Sequence, residues 1–353
     1  MRIASTIKIP EQPVFVFFDS ETQRLYFSEP TANRIRVLNP ATGTLEDAIE
    51  VGEYPGSVIH LPERQMIITA NRHDASLSIV HTGKPFVVSS VPVPAYPKHI
   101  FASPNQRNVI VTHTYDGSVT LIDLTHGSSR WKRNTVRVGP RPLSAAFYPD
   151  SATALIVNRG SIAIIDCVRY QVITQRVMKC SLRTVAISEV TGEAFVVCPL
   201  ECAVCVLDTR GKFIEQIAVE RGPITISPLH GGRHFCVLCA AANSAVIIDS
   251  LTRTCVGRVT VGVSPMKVLE TVEGGLLLVL SFGNKAVSII DRERLVVLDS
   301  CNVGKRPFGL AVVPSQRKAY VANEGTHWSS RDSFFISAVP LDDLWGLARN
   351  EHL

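Results

Sequence analysis

The chain has 353 residues, 46% of them hydrophobic and 19% charged, with a net charge of +5. That balance excludes an intrinsically disordered chain, and so small a charge is no footprint of a nucleic-acid binder. No run approaches the roughly 18–20 apolar residues of a membrane helix. In chain order, Arg2–Ile9 is a lone alternating stretch without the long apolar core of a signal peptide, so a cytoplasmic protein is expected. One phrase then recurs: Val-Gly, two residues, Pro. It stands at Val51–Pro55, Val138–Pro142, Val261–Pro265 and Val303–Pro307, with weaker copies at Ile9–Pro13, Val93–Pro97 and Val219–Pro223. Another falls at Val177–Arg183, where Arg183 takes the place of Pro. The anchors are 13, 55, 97, 142, 183, 223, 265 and 307, separated by 42, 42, 45, 41, 40, 42 and 42 residues.

A second phrase keeps step with the first, an apolar run ending in Asp123, Asp166, Asp208, Asp249 or Asp291. Asn39 and His81 hold that place in the first two units. The Asp series resembles a set of catalytic carboxylates, but its regular recurrence favours turn chemistry, with each side chain capping the following backbone. Between the phrases lies a third run, such as Met66–Asn71 or Ala319–Asn323. Each unit therefore holds four short strands, a to d, with turn residues between them. Four-stranded units repeating at about 42 residues predict a closed all-β propeller of eight blades, with seven the alternative. The last unit has an a strand (308–313), a b strand (318–323) and a c strand (333–339), but no d strand. Arg2–Ile9 is expected to supply it and to close the ring, which argues against a cleaved leader. The domain is then 1–340, and 341–353 is a tail. A short helix is expected over Asp342–Arg349, with Leu344, Trp345 and Leu347 against the ring.

The strand b and c phrases resemble the YVTN-type repeats of bacterial and archaeal propellers, the YncE-like group. The resemblance covers nearly the whole chain and implies the fold, because its motif residues are structural. Familiar members of that group have seven blades, whereas eight anchors are present here.

In a propeller, strand a lines the axis, so the second residue after each Pro and the end of strand b are expected to ring one funnel. The first ring comprises Phe15, Ser57, His99, Ser144, Val185, Thr225, Lys267 and Gly309. The second comprises Glu29, Asn71, His113, Asn158, Cys198, Cys239, Ser281 and Asn323. A one-residue slip would turn half of them into core. The third unit gathers Lys98, His99, His113, Tyr115 and Asp116, and the second adds Asn71, Arg72, His73 and Asp74. Histidine and carboxylate in a concavity suit acid–base work, a metal or an anion, with Lys267 across the funnel to hold a carboxylate or phosphate. The plainer reading is that the Asn and His side chains bond buried backbone.

The nine cysteines lack a framework spacing and read as small buried hydrophobes. Cys198, Cys202 and Cys205, with Cys236 and Cys239, suggest zinc, yet odd offsets along a strand point opposite ways, so no metal site is expected. The c-to-d turns bring Lys84, Arg130, Lys132, Arg133, Arg169, Arg210, Lys212, Arg253, Arg292 and Arg294 to a basic outer rim, opposed in those turns by Glu293. The leading reading is a non-catalytic binding scaffold with a ligand-binding funnel. Its expected partner is a protein or a small anionic ligand, not nucleic acid or a membrane. The alternatives are a funnel-based enzyme of the lactonase or lyase kind, with or without a metal, and a carrier of a haem-like cofactor. That last reading comes from the blade count, which is similar to the haem-holding domain of bacterial cytochrome-type nitrite reductases, with His99 and His113 as axial ligands.

Overall fold

The computed structural model of the chain describes residues 2–125, 131–271, 273, 275–325 and 334–345. Its strands form eight four-stranded antiparallel sheets, each with its strands in the order a, b, c, d. Blade 3 is representative: a is Pro97–Ala102, b is Asn108–His113, c is Ser118–Asp123 and d is Lys132–Arg137. The a strands of neighbouring blades touch one another around the axis from blade 2 through blade 8 to blade 1. Strands b and c are buried on both faces, and strand d is mostly exposed.

The ring closes as the odd first strand requires. In blade 8, a is Pro307–Val313, b is Lys318–Asn323 and c is Phe335–Pro340; strand d is Ser5–Lys8, from the other end of the chain. Ser5 pairs with Ala338 and Lys8 with Phe335. Strand c starts later than the expected residue 333, which lies outside the described residues. Eight apolar clusters hold the blades together, one for each adjacent pair. The eighth joins Ile9, Val16 and Phe27 to Tyr320 and Ile336 across the closure. Of the expected C-terminal helix, Asp342–Trp345 form a turn, with Leu344 and Trp345 packed on the blade 7–8 core. Leu347 and the rest of the tail lie outside the described residues. Among the described residues no helix is long and apolar enough to cross a membrane.

The recurring phrases have physical causes. The residue before the anchor proline takes a left-handed backbone: φ is 55° at Tyr54, 51° at Arg141, 53° at Ser264 and 51° at Arg306. That turns the chain from one blade's outer strand back to the axis. The glycine is needed because the last side chain of strand b lies against it. A Cβ on Gly52 would sit 2.4 Å from Asn71 Nδ2, and one on Gly304 would sit 2.6 Å from Asn323 Cγ. The Asp of strand c caps its turn: Asp166 Oδ1 accepts the Val168 and Arg169 N–H groups, and Asp249 Oδ1 those of Leu251 and Thr252. The two substitutes do the same, Asn39 for Ala41 and Thr42, and His81 for Gly83.

Candidate functional site

Strand a does not run evenly into its blade. In blade 3, Pro97 pairs with His113 and His99 with Thr112, so Lys98 is an extra residue. The same bulge follows the proline in blades 2, 4, 6, 7 and 8. A bulge sets two consecutive residues against one partner and re-aims their side chains. Both residues after the proline therefore reach the axis: Lys98 with His99, Leu143 with Ser144, and Ile224 with Thr225. Together with Met266 and the segment Ser181–Thr184 of blade 5 they line a cavity of about 570 Å³. None of its lining residues is a carboxylate.

Lys98 and Arg183 are the cations of this cavity's lining. Burial lowers the pKa of the Lys98 amine, and Arg72, Arg141 and Arg183 lower it further through their like charge. Among the described residues, none of these four cations is held in an ion pair. Arg72 lies over the Tyr54 ring, 5.6 Å from its centre. Two carboxylates of the neighbouring turns are engaged locally: Asp74 accepts from the Glu53 N–H at 2.9 Å and Asp116 from the Ser118 N–H at 3.0 Å. Burial, then Lys98 and Arg72, brings His99 down to about 4, so its imidazole is neutral at pH 7. Thr184 Oγ1 is enclosed in the cavity wall without a hydrogen-bond partner.

Of the first expected ring, His99, Ser144 and Thr225 share this cavity. Ser57 and Val185 are buried, and Phe15 packs edge-on against Phe308. Lys267 belongs to a second axial cavity, of about 530 Å³, with Phe17, Leu269 and Leu310; its two carboxylates are Glu270 and Glu273. Lys267 therefore does not face His99. Burial alone draws its amine down to about 8.

The second expected ring is interior. Glu29, Asn71, His113, Asn158, Cys198, Cys239, Ser281 and Asn323 all have 0% exposure. The end of strand b points at the incoming linker, where a glycine faces Asn71, Asn158, Ser281 and Asn323, and the polar side chains bond within the protein. Asn158 donates to Val138 O at 2.6 Å, and Asn323 to Phe335 O and Ser337 Oγ. Asn71 donates to Ser76 and Ser78, and His113 Nε2 bonds Thr120 Oγ1 at 2.8 Å. Glu29 is paired with Arg34 and Arg36. His73 is exposed on the rim, stacked on Tyr54 at 4.7 Å. The sequence offers a signal for Arg183, which stands in the proline's place and lines the cavity.

The outer rim is less basic than the turns suggest. Arg169 pairs with Asp166, Arg253 with Glu193 and Glu215, Arg292 with Glu270, and Arg294 with Asp291. Lys132 and Arg133 open strand d of blade 3 and are exposed, as are Arg210 and Lys212. Lys84 opens strand d of blade 2, and Arg130 lies outside the described residues. Among the cysteines, Cys236 and Cys239 do face different inter-blade cores. Cys202 sits in a turn with φ of 50° and not in a strand. Cys198 and Cys205, however, meet Cys180, which strand periodicity could not include because it lies in a linker.

No family model matches the chain, and no curated protein matches it. Solved structures do. Hydrazine synthase of Kuenenia stuttgartiensis superposes with a TM-score of 0.61 at 15% identity, over 96% of this chain and 98% of that one. The dihydro-heme d1 dehydrogenase NirN, in complex with DHE, superposes with a TM-score of 0.66 at 12% identity, over 90% of this chain and 70% of that one. The likeness is one of fold, the propeller.

Proposed function

We propose that this propeller is a non-catalytic binding scaffold whose funnel holds a small anionic ligand. The observation that carries the reading is that Lys98 and Arg183 line one cavity with no opposing carboxylate in its wall, while Arg72 and Arg141 lie near enough to add their like charge to that of Lys98. Such a cluster repels itself, and an anion with two or more charged groups relieves the repulsion. The neutral His99 ring supplies a further polar contact in the lining. His99, drawn down to about 4, is also a weak general base at pH 7, which favours binding over acid–base work. Ligand identity is best read by native mass spectrometry and an absorption spectrum on protein purified gently from its own source. Calorimetry with citrate and with inorganic phosphate then tests the cavity. Arg141→Ala or Lys98→Ala is expected to weaken binding about tenfold, the loss of one charge-assisted hydrogen bond of about 1.5 kcal/mol. Anions that do not bind, or that bind equally to both variants, would sink the reading.

A tetrapyrrole with carboxylate arms is the second reading, and His99 favours it. Its ring is neutral at pH 7, the state an axial ligand requires, and a fold neighbour is a dihydro-heme d1 dehydrogenase. The four cations would meet the carboxylates, and the bound iron would supply redox or ligand chemistry. The enclosed His113 offers no second axial nitrogen. A Soret band on adding haem, lost in His99→Ala, is the expected result. Haem that leaves the spectrum of the protein unchanged rejects this reading and leaves the anion reading standing.

A further inference from the structure

Blade 5 departs from the others where the repeat is most regular. Its linker is Met178-Lys179-Cys180-Ser181-Leu182-Arg183, without the proline, and its strand a shrinks to Val185–Ile187. Three sulfurs meet beside this irregular linker. Cys180 comes from the linker itself, Cys198 ends strand b (Ala194–Cys198) and Cys205 lies in strand c (Ala203–Leu207). The Sγ separations are 3.6 Å for Cys180–Cys198, 3.8 Å for Cys180–Cys205 and 3.1 Å for Cys198–Cys205. Thiolates bound about 2.3 Å from a common ion lie about 3.8–4.0 Å apart, so the pairs with Cys180 are already near that spacing and Cys198–Cys205 needs to open by a little under about 1 Å. Among the described residues no other three His, Cys, Asp or Glu side chains converge in this way.

The surroundings suit a soft cation. Cys198 and Cys205 belong to the apolar core between blades 4 and 5, with Leu155, Ile162 and Val196. Cys180 is half-buried and leaves a path for entry. The sulfurs have chiefly one another and one backbone carbonyl as partners, and thiols bond weakly. The neighbouring residue is fixed as well: Ser181 bonds Glu201 through its N–H at 2.9 Å and its hydroxyl at 2.5 Å, and accepts from the Leu200 N–H. That ties the linker to the turn after strand b, one residue from the cluster.

We propose that Cys180, Cys198 and Cys205 form a three-thiolate site for a thiophilic closed-shell cation, Zn²⁺ or Cu⁺. Binding breaks three S–H bonds, forms three metal–sulfur bonds and releases three protons to solvent, with no change of oxidation state. The ion staples the linker that lacks the proline to strands b and c of its own blade. Because Ser181–Thr184 line the axial cavity, the same staple holds Arg183 in its wall. The site itself does not depend on what occupies the funnel.

The test is metal content of the full chain purified under a thiol reductant, followed by anaerobic titration of the metal-free protein. Co²⁺ serves as a spectroscopic probe, and Zn²⁺ and Cu⁺ are titrated against chromophoric chelators. One equivalent of ion per chain is expected, with sulfur-to-cobalt charge-transfer absorption in the near ultraviolet. Cys180→Ser, on the half-buried linker, should keep the circular dichroism of the fold and lose affinity on the order of 100-fold or more. Cys255→Ser should bind as the unaltered protein does. Added Zn²⁺ or Cu⁺ should raise the Tm of the unaltered protein and not that of Cys180→Ser. Preference between the two ions names the occupant, and either supports the site. The proposal is overturned if the reduced protein binds neither ion, if uptake survives Cys180→Ser, or if protein alkylated at lysis carries a Cys198–Cys205 disulfide.

Discussion

Lys267 is the residue whose chemistry is least answered by its surroundings. Its amine enters an axial cavity beside Phe17, Leu269 and Leu310, and the nearby Glu270 is already paired with Arg292. Burial disfavours its charged form and draws it down to about 8. Between pH 8 and the unfolded value near 10.5 the unfolded chain binds a proton that the folded chain has lost. Stability therefore rises with pH across that window. Lys267→Met keeps the length and removes the charge. It is expected to stabilise the protein by about 1–2 kcal/mol at pH 7, discounted for the water that reaches the channel, and to abolish the rise above pH 8. Urea melts at pH 7 and pH 10 provide the check, and a variant less stable than its parent would mean that the amine has a partner worth more than its burial costs. His99 gives the mirror case on the acid side. Lowered to about 4 from an unfolded value near 6.5, it leaves the fold undisturbed above pH 6.5 and costs stability as pH falls from 6.5 to 4. His99→Gln should flatten the stability profile in that window, and an unchanged acid limb would mean that His99 binds its proton in the folded protein as it does in the unfolded chain.

At the scale of the strand, the closing segment Ser5–Lys8 and the adjoining Ile9 decide whether the ring is a ring. Ile9 is buried against Val16, Phe27 and Ile336, so it welds the start of blade 1 to the end of blade 8. Ile9→Ala is expected to cost about 2–5 kcal/mol, the range for truncating a buried branched side chain. The urea midpoint should fall with the m-value unchanged, and a loss under 1 kcal/mol would mean that the closure carries little load. This strand was legible in the sequence because its alternation stands alone before the first anchor while the last unit lacks a strand d. The funnel was legible only in part, for a related reason. His99 and Ser144 were reachable by counting from the proline, but the bulge after that proline, which adds Lys98, Leu143 and Ile224 to the wall, is a backbone event without its own residue signature. The end of strand b was misplaced because Asn71, Asn158 and Asn323 look like ligand-binding side chains, and only the glycine packed against them shows that they point inward and bond within the blade. The sulfur cluster was illegible, since Cys180 joins Cys198 and Cys205 from outside any strand.

For the whole molecule, the consequence of closure is that no blade has a free face. A linear repeat array can fray from its ends, because each unit contacts only its neighbours. Here each of the eight interfaces has a blade on both sides, and the one that joins the chain's two ends is as apolar as the rest. Loss of any one interface opens the ring and exposes apolar surface on two blades at once. Unfolding should therefore be cooperative around the circle, although the chain is longer than most two-state domains. Two of the three tryptophans report on distant arcs: Trp131 packs against the blade 2–3 core and Trp345 against the blade 7–8 core. Variants that keep only Trp131 or only Trp345 should show fluorescence transitions in urea that coincide with each other and with the circular dichroism. Adding Ile9→Ala should move both by the same amount, although Ile9 touches neither tryptophan's cluster. Separate midpoints, or a shift confined to Trp345, would mean that the arcs unfold independently and that the strand borrowed from the start of the chain acts locally.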